Sequence, residues 1–377
     1  MESDALSARD RWDAIVVGAG PAGALAACLL AREGASVLLA EKARRGRPKV
    51  CGCCLGSGGA AVLDRANLGG VLRDAAPIRV LRLSTRGHTT TLPLDGMRAI
   101  SREALDARLA DAAENAGAVL AWNTTVAADA EGGVRITHAG ETRTVRAGVV
   151  INAAGLLAHR VDGVPFRVRR TNRVGLGTTT AAPRNGIDPC GSDLRMIVGG
   201  DGYLGGVALP DGRTDWAAAV SPAWLRRHGS PAALLRAMAA RAGLDPASVP
   251  TGPWRGTPTL TRSRPAQSGR VLSVGDAAGY VEPFTGEGMS WALLSAEAVV
   301  PHALACLEHD PAAAAWSREH RTLLGRAHRR CRRTALLVRR PALIGAGARL
   351  AAIRPAVARH LEGALSTHAT STARSSA

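Results

Sequence analysis

Residues 13–42, DAIVVGAGPAGALAACLLAREGASVLLAEK, leave this chain few choices of fold. An apolar run rich in β-branched residues (12–18), an Ala/Leu-rich stretch with helical spacing (21–34) and a second apolar run (36–41) follow one another directly. Strand, helix and strand in that order form a βαβ unit, which requires a parallel sheet. Gly18, Gly20 and Gly23 fall where the first strand turns into the helix. Gly18 permits the tight turn, Gly20 lets backbone approach a pyrophosphate, and Gly23 lets helix and strand touch. Phosphates would sit on the free N–H groups of the helix that begins near Pro21 and Ala22. Glu41, with Lys42 beside it, ends the second strand where an acid can accept hydrogen bonds from the ribose hydroxyls of an adenosine.

A second segment decides between dinucleotides. In GRVLSVGDAAGYVEPFTGEGMSWALLSAEAV (269–299) an apolar strand ends at Gly275-Asp276. A loop bearing Pro283, Gly286 and Gly288 then leads into a long helix entered near Met289. An acid just after a strand suits the hydroxyls of a ribityl chain. A helix N-terminus there puts positive potential beside an isoalloxazine and favours its reduced anion. The two segments together argue for FAD. Between them, SREALDARLADAAENAG (101–117) reads as a helix with Ser101 as N-cap and Gly117 as terminator, carrying Arg102, Asp106 and Leu109.

These segments resemble the FAD-dependent oxidoreductases of the p-hydroxybenzoate hydroxylase fold over residues 12–335. That resemblance implies that Arg102, heading its helix, contacts the cofactor. PKVCGCCLG (48–56) is similar to the K-x-C-G-G-G-type segment of the geranylgeranyl reductase family, which implies that Cys51 lies beside the flavin. It also implies an enzyme that saturates isoprenoid double bonds with reduced FAD, among relatives that include hydroxylases of lipid and polyketide pathways. Two segments depart from these patterns. Flavin hydroxylases carry an acid and a serine in a stretch touching both FAD and the nicotinamide donor; INAAGLLAHR (151–160) has Ala154 and Ala158 at those places. GYLGGVALP (202–210) keeps the Tyr and Pro of the reductases' Y-x-W-x-F-P substrate motif but lacks the Trp.

Cys51-Gly52-Cys53-Cys54 allows several readings. A structural zinc would need two more close ligands, and His159 and His302 are isolated in sequence, so no metal is expected. A redox disulfide facing the flavin stays open. The favoured alternative has Cys51 lining the pocket while Cys53 and Cys54 fill space. Glu282 and Glu287 read as acids placed by the dipole of the helix that follows, and Tyr280 as pocket wall.

Composition narrows the partners. A hydrophobic fraction of 46% against 21% charged residues excludes a disordered chain. The net charge of +17 invites a nucleic-acid reading, yet Lys42 and Lys49 are the only lysines and aromatics make up 3% of the chain. An arginine excess of that kind fits a biased genome, and little is left to stack on bases, so no nucleic-acid partner is expected. No apolar run is seen to approach the roughly 18–20 residues of a membrane span, and the polar N-terminus shows no signal peptide. A cytoplasmic protein is expected. The Arg-rich block from 318 to 361, with apolar residues between, leaves peripheral membrane contact open.

The expected fold is α/β: a Rossmann-type FAD-binding domain in three parts (1–70, 99–160, 264–335) with a mixed-sheet substrate domain inserted in two (71–98, 161–263). C-terminal helices (336–366) and a disordered tail (367–377) complete it. The expected activity is FAD-dependent reduction of a C=C bond in an apolar small molecule (isoprenoid, lipid or polyketide-derived), with aromatic or polyketide hydroxylation as the alternative. A non-catalytic flavin carrier is the lesser one. NAD(P)H as a transient electron donor and a donor protein both remain open.

Overall fold

The computed structural model describes residues 9–168, 173–181, 193–282, 284, 286–308 and 315–353. The chain opens with β1 (Arg11–Val17), α1 (Pro21–Arg32) and β2 (Val37–Ala40). β1 and β2 pair in parallel, in register from Ala14↔Val37 to Val17↔Ala40. Asp13 locks the start of this pairing, its carboxylate accepting from the Ser36 N–H (2.8 Å) and hydroxyl (2.6 Å).

Two short elements follow, β3 (Cys54–Leu55) and α2 (Ser57–Arg65). The sequence of this stretch reads as irregular to residue 59, because Ser-Gly-Gly is poor helix material. Packing overrides propensity here: a Cβ on Gly59 would come 3.0 Å from the Ser290 Cα, so the helix forms because glycine lets it lie against a later one. β4 (Ala76–Thr85) and β5 (His88–Ala99) then make a long hairpin. Arg86 and Gly87 turn it with φ of 50° and 75°, the left-handed pair that suits strand twist. α3 (Arg102–Asn115) starts at Ser101, whose hydroxyl accepts from the Ala104 N–H at 3.1 Å. β6 (Val119–Ala121), β7 (Thr124–Ala128), β8 (Gly133–His138) and β9 (Glu141–Asn152) complete the first half.

After the single turn α4 (His159–Asp162) come β10 (Arg167–Val168), β11 (Val174–Thr180), β12 (Leu194–Gly199), β13 (Gly202–Ala208) and β14 (Thr214–Val220). Helices α5 (Pro222–His228) and α6 (Pro231–Arg241) lead to β15 (Arg255–Thr259), β16 (Arg262–Ser263), β17 (Gln267–Ser268), β18 (Val271–Ser273) and β19 (Gly279–Tyr280). The chain then turns helical with α7 (Gly288–Leu307), α8 (Trp316–Leu337) and α9 (Pro341–Ile353). The tail expected at 367–377 lies outside the described residues.

Two eight-stranded sheets organise these elements. The first has the order β17-β18-β9-β1-β2-β6, with β8 pairing to β9 and β7 to β8. Its centre is parallel, as the βαβ unit requires. The second, β15-β11-β14-β13-β12-β4-β5-β3, is mixed: β12 pairs in parallel with β4, the other pairs are antiparallel. β3 joins this second sheet although it falls within residues 1–70, because Cys54 and Leu55 pair with Ala99 and Arg98.

α7 corrects one expectation. By length and composition alone it is apolar enough to cross a membrane, and half of it is buried inside the protein. It packs between α1, α2 and α8, which a helix that is apolar on most sides does when it serves as core.

Candidate active site

A cavity of about 560 Å³ opens between the two sheets. It runs from the ends of β1 and β2, where Gly18, Gly20, Pro21, Ala22, Glu41 and Lys42 line it, to Gly275, Asp276, Gly286, Gly288 and Met289 at the entry to α7. Cys51 and Arg102 stand between. The sequence-derived site residues therefore share one cavity wall, with two exceptions. Pro283 lies outside the described residues. Gly23 sits behind the turn: a Cβ on it would lie 1.8 Å from the Gly18 carbonyl oxygen, so its place is contact between helix and strand.

Local geometry shows why each of these residues is there. Gly18 holds φ +107°, and a Cβ there would meet the Ala153 carbonyl oxygen at 2.6 Å. Glu41 is fixed by two backbone donors, Ala19 N–H at 3.1 Å and Ala43 N–H at 3.0 Å. A carboxylate has about four lone-pair sites, so two remain for hydroxyls. Arg102 grips Asp106 with two bonds of 2.9 Å, and the Lys49 ammonium lies 3.1 Å from Asp106 and 3.7 Å from Glu41. Both cations border Gly20, whose missing Cβ would sit 3.4 Å from Arg102 and 3.9 Å from Lys49. An anion approaching the α1 N-terminus thus meets free N–H groups, a guanidinium and an ammonium together.

At the far end, Gly275 takes φ +56° and donates its N–H to the Ser295 hydroxyl at 2.8 Å. Asp276 faces the cavity, and burial lifts its carboxyl to about 7 against the pull of Arg102. A group in that state can both donate to and accept from hydroxyls. A ribose acceptor, phosphate donors, a polyol partner and a helix N-terminus line one cavity, which is the set of partners FAD requires, so the residues fit FAD. Lys49, Arg102 and the α1 N-terminus would hold the pyrophosphate, Glu41 the adenosine ribose and Asp276 the ribityl chain.

The cysteine cluster differs from its expected form. Cys53 and Cys54 are buried in an apolar cluster, as expected of small space-filling groups, but Cys53 does more than fill space. It holds φ +50°, a left-handed backbone that favours glycine. Its thiol hydrogen-bonds Cys51, which with help from Arg102 brings Cys51 down to about 6 despite burial. Cys53 itself moves up, through that bond and through burial. The Cys54 thiol donates to the Gly52 carbonyl at 3.0 Å, and burial pushes it up. Asp215 on β14 completes the group. Burial and the nearby Cys51 raise its carboxyl well above the usual range, and its Oδ2 has no hydrogen-bond partner. Sequence reasoning missed Asp215. Its one signal is strand alternation, which puts Asp215, Ala217 and Ala219 on one face, the last two lining the cavity.

Alkylation tests this cluster. Cys51 is expected to react with iodoacetamide with a midpoint near pH 6, followed by mass spectrometry. Cys53→Gly suits the backbone and deletes the bond. It is expected to move the midpoint toward the ordinary thiol value and to slow the reaction at pH 7 about tenfold. An unmoved midpoint contradicts the pairing.

The part of the cavity walled by the second sheet is mostly apolar. Leu176, Leu194, Met196, Leu260 and Phe284 line it with Tyr203, and the alanines 217–219 of β14 form a flat stretch. Phe284 meets the Tyr203 ring edge-on at 5.0 Å and Arg173 lies 5.5 Å from its centre. Arg173 is in turn paired with Glu282 at 2.7 Å, both side chains under 5% exposed. Glu282 is therefore a buried ion-pair partner, not the dipole-placed acid its sequence position suggests. Ala154 lines the cavity and Ala158 is fully buried.

Comparison with known proteins agrees with this geometry. A family model described as an FAD binding domain matches residues 11–185. The menaquinone reductase of Mycolicibacterium smegmatis is 28% identical over 75% of this chain and 74% of its own. Digeranylgeranylglycerophospholipid reductase 1 of Methanococcoides burtonii is 27% identical over 76% of this chain and 72% of its own. Among solved structures, p-nitrophenol 4-monooxygenase from Pseudomonas putida superposes with a TM-score of 0.74 at 18% identity, over 95% of this chain and 99% of that one, a likeness of fold. The chain is an FAD-dependent oxidoreductase of the p-hydroxybenzoate hydroxylase fold, similar to the geranylgeranyl reductases.

Proposed function

We propose that the chain uses bound FAD to reduce a C=C bond of an apolar substrate of isoprenoid, lipid or polyketide origin. The observation that carries this reading is the cavity beyond the flavin-binding half, walled by Leu194, Met196, Tyr203, Leu260, Phe284 and the alanines of β14. The names of the two reductase relatives, for a menaquinone and a digeranylgeranylglycerophospholipid, favour the same chemistry. Saturating a double bond needs a hydride and a proton, and a bound flavin would supply the hydride. The protein's own residues do the rest. The apolar wall expels water and orients the chain of the substrate, with Tyr203 held against Phe284 and Arg173. Cys51 Sγ, at the wall beside Arg102, is the group that exchanges a proton with the cavity, and Cys53 and Asp215 hold the protons behind it.

A second reading is hydroxylation with O₂, favoured by the monooxygenase fold. Ala154 and Ala158 speak against an ordinary NADPH-dependent hydroxylase, because neither can replace the acid and serine that contact the nicotinamide. Mass spectrometry of the product, with chemically reduced enzyme and an isoprenoid quinone as probe, separates the two. A gain of two hydrogens without oxygen that persists after the quinone ring is reoxidised in air, and so sits on the isoprenoid chain, is expected. Gain of an oxygen atom, seen in air alone, overturns the reduction and leaves hydroxylation. Stopped-flow mixing with NADH, NADPH and dithionite identifies the electron donor.

A further inference from the structure

Four of the five large apolar side chains that stand exposed among the described residues fall within one short segment. Leu336 (59% exposed) and Leu337 (50%) close α8, and Leu343 (51%) and Leu350 (48%) lie on α9. Leu343 and Leu350 are seven residues apart, two helical turns on one face. From residue 320 to 353 the chain carries nine arginines and neither Asp nor Glu. Arg329, Arg332, Arg333 and Arg340 are exposed, and Arg332, Arg333 and Arg340 stand three or four positions from Leu336 or Leu337. Apolar side chains set in a one-signed cationic field match an anionic lipid surface, where leucines enter the acyl boundary and arginines meet the headgroups.

The inner side of the same helices gives the patch a direction. Val338, fully buried, and Ile344 pack into the apolar cluster that contains Met196 and Tyr203, with Leu194 and Phe284 against it. Those four residues line the cavity. α9 lies on β4 and β5, the hairpin of the same sheet, and a Cβ on Gly345 would sit 3.2 Å from the Thr85 methyl. This layer thus presents leucines outward and packs inward on the apolar cluster whose other members wall the cavity.

We infer that the α8–α9 junction docks on an anionic lipid bilayer and brings the apolar end of the cavity to the membrane surface. The inference rests on the reading of an apolar, membrane-dissolved substrate. Its test uses no substrate, so the two fail separately. The FAD-loaded full chain is spun down with sucrose-loaded vesicles of phosphatidylcholine alone and with 30% phosphatidylglycerol. Binding at least tenfold tighter to the anionic vesicles is expected, falling in 0.5 M salt. The variant carrying Leu336→Ser, Leu337→Ser, Leu343→Ser and Leu350→Ser is expected to lose at least tenfold in vesicle affinity while keeping its flavin spectrum. These surface changes leave the cavity wall intact. Equal sedimentation of variant and wild type, or no sedimentation of the wild type, overturns the inference. So does an oligomer that the leucine changes split into single chains, since a second copy would then be the occupant.

Discussion

Gly23→Ala is expected to produce a chain that retains no FAD. The new methyl would lie 1.8 Å from the Gly18 carbonyl oxygen and 3.0 Å from the Ala153 methyl. The first contact is with backbone, so no side-chain rotation relieves it. α1 must move off β1, and with it go the N–H groups that meet the pyrophosphate. The Gly18 turn is already committed to φ +107° and cannot absorb the shift. Gly70→Ala is the matched control, because a Cβ there meets nothing within 4 Å. Flavin absorbance per chain after gel filtration checks the pair. Loss of at least ten-fold is expected for Gly23→Ala, and wild-type content for Gly70→Ala.

The buried Arg173–Glu282 pair carries the second large effect. Glu282→Ala leaves a guanidinium that is 4% exposed without its carboxylate, in a site where one of its nitrogens already lacks a partner. Breaking a buried pair from one side costs about 3–5 kcal/mol, more than the pair contributes in net stability. Urea denaturation is expected to show that loss for Glu282→Ala. The double change Arg173→Met with Glu282→Leu is expected to recover most of it, because no charge is then stranded. The Cys331 thiol donates to the Glu282 carbonyl, a backbone contact that both variants keep. A double variant as unstable as the single one would show that the charge is not what matters.

Local signals made much of this molecule legible in advance. The βαβ unit, the Ser101 cap, the acid after β18 and the glycines around α1 and α7 each depend on residues close in sequence, and the structure brings Gly18, Gly20, Asp276, Gly286 and Gly288 to one cavity, with Arg102 next to the Ser101 cap. What sequence reasoning missed depends on partners far apart. Arg173 and Glu282 are 109 positions apart. Asp215 has meaning only once β14 lies beside Cys51 and Cys53. α2 forms from Ser-Gly-Gly because α7 lies across it, and α7 is apolar like a membrane span because helices cover it from several sides. Cys53 fills space as expected, but its left-handed backbone does not show in a sequence.

Flavin content of the purified wild-type chain tests the central claim most directly. A yellow protein with one FAD per chain, its absorbance bands shifted from those of free flavin, is the predicted result. A colourless protein that stays colourless after incubation with FAD and gel filtration would contradict it, because the cavity between Gly18 and Gly288 would then hold something else.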